Sequence, residues 1–211
     1  MINKYYIKLW LHDFKKKIIP IRGKGNVIKN RAQYFNLKYD IVGNQNTVII
    51  GKSKLHNCTI YIRGNGHQVT IEDGCYLKDT TVYIEDSNCR VKIEKNTTIE
   101  GADIDVKEDN NSLYIEEGCM FSKEIYITTS DSHSIVKGIT KERINPGKGV
   151  VIKSRVWLGR GVKVLKGTSI DSGTIVAAES IVTGHLGENS IYAGNPVKLI
   201  KEEISWLRER I

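Results

Sequence analysis

Between residues 43 and 129 the chain repeats short alternating apolar–polar runs separated by Gly, Asn and Asp. Four segments align: GNQNTVIIGKSKLHNCTIYIR (43–63), GNGHQVTIEDGCYLKDTTVYIE (64–85), DSNCRVKIEKNTTIEGADIDVK (86–107) and EDNNSLYIEEGCMFSKEIYITT (108–129), each of 21 or 22 residues. Val48, Val69, Val91 and Leu113 open one run, and Ile50, Ile71, Ile93 and Ile115 close it. Ile60, Val82, Ile104 and Ile125 mark a second run, each with an apolar residue two positions on. Alternation at period two bounded by turn residues predicts short strands. One such repeat cannot bury its inner face alone, but stacked repeats can line up their Val and Ile into continuous ladders. The pattern predicts an all-β solenoid.

From Ile152 the period tightens. The chain reads IKSRVW, LGRGVK, VLKGTS, IDSGTI, VAAESI, VTGHLG, with Ile152, Leu158, Val164, Ile170, Val176 and Val182 recurring every six positions. Three hexads make an 18-residue triangular coil, with Gly161, Gly167 and Gly173 easing its corners. The whole chain then reads as one domain. It divides into a helical cap (1–20), a long-repeat solenoid section (21–129), an irregular loop (130–149), a hexapeptide section (150–194) and a C-terminal turn and helix (195–211).

Both ends are expected to cap the solenoid. Residues 1–20 predict a helix ending before Pro20, with Lys15, Lys16 and Lys17 in its last turn, where cations suit the helix dipole. Residues 201–211 (KEEISWLRERI) predict a short amphipathic helix with Ile204, Leu207 and Ile211 on one face. Exposed solenoid ends need such cover. Membrane-surface contact through residues 1–20 is the minor alternative.

Residues 130–149, SDSHSIVKGITKERINPGKG, fit neither period. A long irregular excursion in a repeat fold is usually functional. It carries His133 among Asp131, Ser132 and Ser134, and imidazole is well suited to removing a hydroxyl proton near neutral pH.

Composition narrows the class. Charged residues are 27% and hydrophobic ones 40% of 211 residues, which indicates a folded rather than a disordered chain. No run approaches the roughly 20 apolar residues of a membrane span, and no signal-peptide cleavage site follows the first segment, so the expected compartment is cytoplasmic. Cys58, Cys75, Cys89 and Cys119 lack CxxC spacing and read as buried reduced thiols, with no metal site expected. The net charge of +8 suits an anionic ligand such as a phosphorylated cofactor or an anionic sugar polymer. No nucleic-acid-binding motif is present.

The hexad register resembles that of the left-handed parallel β-helix acyltransferases. The runs SDSHSI, KERINPGKGVVI, VWLGRGVKVLKGTSI and IYAGNPVKLI resemble bacterial sugar O-acetyltransferases of this class, and most of all the capsular polysaccharide (polysialic acid) O-acetyltransferases. The specific match covers about residues 130–201. The left hand of the helix, a homotrimer and acetyl-CoA as acyl donor are what this resemblance implies.

Carried over by motif, the resemblance makes His133 the general base and Trp157, 24 residues later, its companion at a groove between subunits. It implies Gly159, Arg160, Ala178 and Thr183 along the coenzyme A arm, with Lys166, Lys198 and Lys201 toward its phosphates. Asp131 and Arg143 fall on the acceptor side. The helical acceptor-binding pattern of the free galactoside and maltose enzymes is missing, which favours a polymeric or cell-surface glycan acceptor. An N-acyltransferase acting on an amino-sugar nucleotide, or a non-catalytic solenoid, are the alternatives. A zinc carbonic anhydrase of the same shape fits poorly, because the coil histidines have no paired motif.

Overall fold

The computed structural model describes residues 21–211. The expected helix over 1–20 lies outside the described residues.

The described chain is a three-faced parallel β-solenoid. The first face stacks Val27–Asn30, Thr47–Ile50, Gln68–Ile71, Arg90–Ile93, Ser112–Ile115, Val150–Ile152, Ser169–Ile170 and His185–Leu186. The second stacks Tyr76–Lys78, Thr98–Ile99, Met120–Phe121, Trp157–Leu158, Ile175–Val176 and Ile191–Gly194. The third stacks Thr80–Ser87, Ala102–Val106, Ile125–Thr128, Lys163–Val164 and Ile181–Val182. Two long strands, Gln33–Val42 and Lys54–Asn65, pair with each other and bend across the corner between the second and third faces.

The strand registers follow the sequence ladders. Val48, Val69, Val91 and Leu113 are successive Cα partners, as are Ile50, Ile71, Ile93 and Ile115. In the hexapeptide section Ile152 pairs with Ile170, Leu158 with Val176 and Val164 with Val182, so three hexads make one coil. All of these side chains are buried. Each contributes about 1.5–3 kcal/mol of burial free energy, and the ladders form one continuous core.

One ladder member is corrected. The partner of Ile104 is Ile127, while Ile125 sits beside Ala102. The corner between Phe121 and Ile125 is one residue longer than that between Ile99 and Ala102, and Glu124 takes a left-handed conformation there (φ 62°).

Left-handed residues punctuate most corners. Asn36, Asn57 and Asp79 stack at one of them with φ of 53°, 54° and 43°. Asn36 donates to Asn57 at 3.1 Å and Asn57 to Asp79 at 3.0 Å. Asn and Asp tolerate this region and satisfy one another between coils. The cysteines are buried and unbonded, and burial raises their thiols, Cys119 to about 12.

The C-terminal helix is not formed. After the cis Asn195–Pro196 bond, Val197–Lys201 folds back antiparallel on Ile191–Gly194, and residues 202–211 have no regular structure. The tail runs as a strap along the corner between the first and second faces. The Ile204 amide donates to the Asn189 carbonyl, the Trp206 indole to the Arg155 carbonyl, and the Arg208 guanidinium to the Gly118 and Cys119 carbonyls. An eleven-residue segment has little intrinsic helicity. Here the burial of Trp206, 5% exposed, together with carbonyl acceptors on successive coils, outweighs it.

Candidate active site

The irregular loop leaves the third face after Thr128 and returns to the first face at Val150. Its middle is a short hairpin. Val136 bridges Arg143, the Lys137 amide donates to the Glu142 carbonyl, and the Ile144 amide donates to the Ile135 carbonyl. Ile139 stands at the tip, fully exposed.

Two polar groups clamp the neck of this loop. Glu108 lies at a coil corner with φ 70°, just after the strand ending at Val106. Its carboxylate accepts both terminal nitrogens of Arg143 at 2.7 and 2.8 Å, the Ser130 hydroxyl at 2.6 Å and the Gly147 amide at 2.9 Å. These contacts, Arg143 foremost, hold the Glu108 carboxyl down at about 2.

Asn145 is the second clamp. Its Nδ2 donates to the Asp131 carboxylate and to the His133 carbonyl, both at 2.8 Å, and its Oδ1 accepts the Ile135 amide at 2.6 Å. The residue is 8% exposed and its amide is saturated. Lys166 approaches from the coil below and donates to Asp131 at 2.5 Å and to the Asn145 carbonyl at 3.0 Å. This partnership with Lys166, then with Asn145, lowers the Asp131 carboxyl.

His133 is exposed, and its main chain is fixed from two sides. Its amide donates to the Asp131 carbonyl at 2.8 Å across Ser132, which has φ 65°. Asn145 holds its carbonyl. Its neighbours Ser132 and Ser134, with Lys107, Ser130 and Arg143, line a polar recess of about 220 Å³ together with Glu85, Asp86 and Glu108. Lys107 donates to the Ser132 hydroxyl at 3.3 Å. The loop thus presents an exposed histidine on a pinned backbone, flanked by two serines that reach the recess.

The expected site residues fall in four places. Asp131, His133, Arg143 and Lys166 converge at the corner between the third and first faces, with Thr183 exposed one coil below Lys166. Trp157 lies on the second face, between Met120 and Ile175 in register. Its ring meets that of Trp206 at 6.0 Å between centroids, tilted by 55°. Gly159, Arg160 and Ala178 share the corner between the second and third faces. A side chain at Gly159 would come within 2.6 Å of the Ala178 amide nitrogen, so coil stacking itself requires glycine there. Arg160 is engaged by Glu124 at 2.6 and 3.0 Å. Lys198 and Lys201 are exposed on the returning terminal strand.

One protomer therefore does not bring His133 and Trp157 together. Along the second face, Met120, Trp157, Ile175 and Ile191 form an outward-facing, half-buried apolar column.

Sequence reasoning missed Glu108, Lys107 and Trp206. Glu108 occupies the repeat position of Gly64 and Asp86, and nothing in the pattern separates a corner residue from a loop clamp. Asn145 stood inside the motif that carried the resemblance, without a role.

No protein-family model matches the chain. A polysialic acid O-acetyltransferase of Neisseria meningitidis is 33% identical over 171 residues, covering 80% of this chain and 79% of that protein. One of Escherichia coli O1:K1 / APEC is 36% identical over 94 residues, 44% of this chain but 31% of that longer relative. The crystal structure of the polysialic acid O-acetyltransferase OatWY superposes with a TM-score of 0.87 at 29% identity, covering 90% of this chain and 91% of the other.

Proposed function

Because the chain belongs to the polysialic acid O-acetyltransferase family, we propose that it transfers the acetyl group of acetyl-CoA to a hydroxyl of an anionic cell-surface or capsular glycan, with His133 as general base. The observation that carries this reading is the double clamp, Glu108 and Asn145, which fixes the backbone around one exposed histidine whose neighbours Ser132 and Ser134 line a polar recess. A merely structural loop would not need its histidine so placed.

In the reaction, His133 removes the proton of the acceptor hydroxyl as that oxygen attacks the thioester carbonyl. The tetrahedral oxyanion then collapses, the carbon–sulfur bond breaks, and the imidazolium returns the proton to the departing thiolate. Free coenzyme A and the O-acetyl ester are the products. Acetyl-CoA enters as substrate, and the cramped stacking at Gly159 supports a flat, side-chain-free bed for its extended arm. Lys198 and Lys201 serve its phosphates as point charges, a role that their exposure on the terminal strand supports. Lys166 is committed instead to Asp131 and Asn145, so its role here is to hold the loop.

A homotrimer completes the site. The apolar column of Met120, Trp157, Ile175 and Ile191 supports burial against a second copy. A site that uses both His133 and Trp157 needs two protomers, since the residues lie on different faces. The test is mass spectrometry of polysialic acid, other capsular glycans and amino-sugar nucleotides incubated with acetyl-CoA and the protein. An acetyl increment on an alkali-labile ester of the glycan is expected. Acetylation of the amino sugar alone, as an amide, contradicts the proposal.

A further inference from the structure

Charge is segregated along the solenoid axis. Residues 21–63, which form the opening coils, hold eight Lys and Arg against a single acid, Asp40. Residues 64–129 reverse this, with six basic against fourteen acidic side chains. The acidic stretch includes Glu85, Asp86 and Glu108 around the recess lined by Ser132 and Ser134. A polyanionic chain finds little electrostatic attraction on the coils just above the loop, and its strongest attraction lies at the opposite end of the solenoid.

That end has a built groove. At the corner between the first and second faces, Arg31, Gln33, Lys52, Ser53, Lys54 and Tyr76 line a depression of about 670 Å³. Lys52 and Lys54 are exposed, and Arg31 lies beside Asp73 at 3.0 Å, both exposed. On the adjoining second-face strands, Phe35 is 65% exposed and stacks on His56 at 5.0 Å between centroids. Cations, amide and hydroxyl hydrogen-bonding groups and the Tyr76 ring in one concavity, with the Phe35–His56 stack on the strands beside it, suit a carboxylate-bearing sugar chain. A membrane surface calls instead for apolar side chains protruding from a convex face.

We propose that this groove is a second, non-catalytic binding site for the anionic glycan acceptor, which tethers a polymer while a distant sugar of the same chain enters the recess of the His133 loop. The proposal rests on the functional reading above and adds the acceptor's length as a determinant. Lys52 follows Thr47–Ile50 and the loop returns at Val150–Ile152, four strands further along the first face. At ~4.8 Å per parallel step this is about 19 Å along the axis, and groove and loop flank opposite edges of that face. A short oligosaccharide reaches one site only, and a long chain engages both and gains effective concentration at the second.

The test compares wild type with the double variant Lys52→Glu, Lys54→Glu, neither residue being part of the transfer machinery. Long-chain polysialic acid and its trisaccharide serve as acceptors, with direct polymer binding measured without acetyl-CoA. The variant should raise KM for the polymer and weaken its binding by roughly tenfold or more at low salt, with trisaccharide kinetics and melting temperature unchanged. Equal polymer KM and equal polymer binding in the two proteins overturn the tether. Loss of binding to phosphatidylserine vesicles with polymer binding intact overturns it in favour of a membrane surface. If wild type acetylates neither acceptor, the functional reading fails. The binding arm still decides the tether in that case.

Discussion

Arg143 places both terminal guanidinium nitrogens on the two oxygens of Glu108, 35 residues earlier in the chain, at 2.7 and 2.8 Å. This fork joins the return of the His133 loop to a corner of the coil above it. The same carboxylate holds the start of the loop through Ser130, so both ends of the excursion hang from one side chain.

Glu108→Gln keeps the shape of that side chain and removes the charge. Misplacing a catalytic group by about an ångström costs up to roughly a hundredfold in rate. The variant should lose ten- to a hundredfold in kcat with a small change in melting temperature, because the ladder core does not depend on the loop. Steady-state kinetics beside a thermal melt checks this, and an unchanged kcat would show the clamp to be dispensable.

The same carboxylate predicts an acid response. Its native pKa, near 2, lies below the roughly 4.3 of an unfolded Glu. The stabilisation it gives the loop is therefore complete above the unfolded value and is lost as pH falls from there toward 2. Hydrogen exchange over residues 130–147 should accelerate across that window while the ladder amides stay protected. In Glu108→Gln the loop should exchange fast at every pH.

Asn145→Ala removes the amide that joins Asp131, the His133 carbonyl and the Ile135 amide. Leaving such partners unsatisfied costs about 1–3 kcal/mol, spent locally on the loop. Activity should fall with retained coenzyme affinity, and calorimetric binding of acetyl-CoA separates the two. Asn145→Asp should not rescue, since its carboxylate would face that of Asp131.

Two inactive variants should complement each other if the site is shared between copies. His133→Ala and Trp157→Ala subunits, mixed after reversible dissociation, should regain a measurable fraction of wild-type activity that neither shows alone. No regain, with mixed oligomers demonstrated, would confine the site to one protomer.

Ladders were legible in the sequence because each inward position is decided by burial alone. The six aliphatics from Ile152 to Val182 stand in register 18 residues apart, as their spacing required. Ile127 escaped because a single extra residue at a corner leaves no mark on an alternating pattern. The strap at Ile204, Trp206 and Arg208 escaped for a different reason. Its spacing suits a helix, but its partners are carbonyls on other coils, which local periodicity does not register. Within the irregular loop the sequence singled out His133, while the loop's supports, Glu108 and Lys107, lie in ordinary repeat positions.

Trp206 gives the strap a measurable role. Its ring touches Trp157, and its indole is tied to the carbonyl of Arg155, two residues before Trp157. Truncation after Lys201 should leave the cooperative melt of the solenoid, shift Trp157 fluorescence to longer wavelength, and abolish any near-ultraviolet exciton coupling between the indoles. Unchanged spectra would mean that the strap does not set the environment of Trp157.

The role of His133 is tested most directly by the rate of acetyl transfer from acetyl-CoA to polysialic acid in His133→Ala, measured with the variant's melting temperature. General-base catalysis by a positioned side chain is worth about 10²–10⁴. The variant should lose transfer by that factor and melt like wild type. A rate within a few fold of wild type, in a protein of unchanged stability, would contradict the assignment of the base to this imidazole.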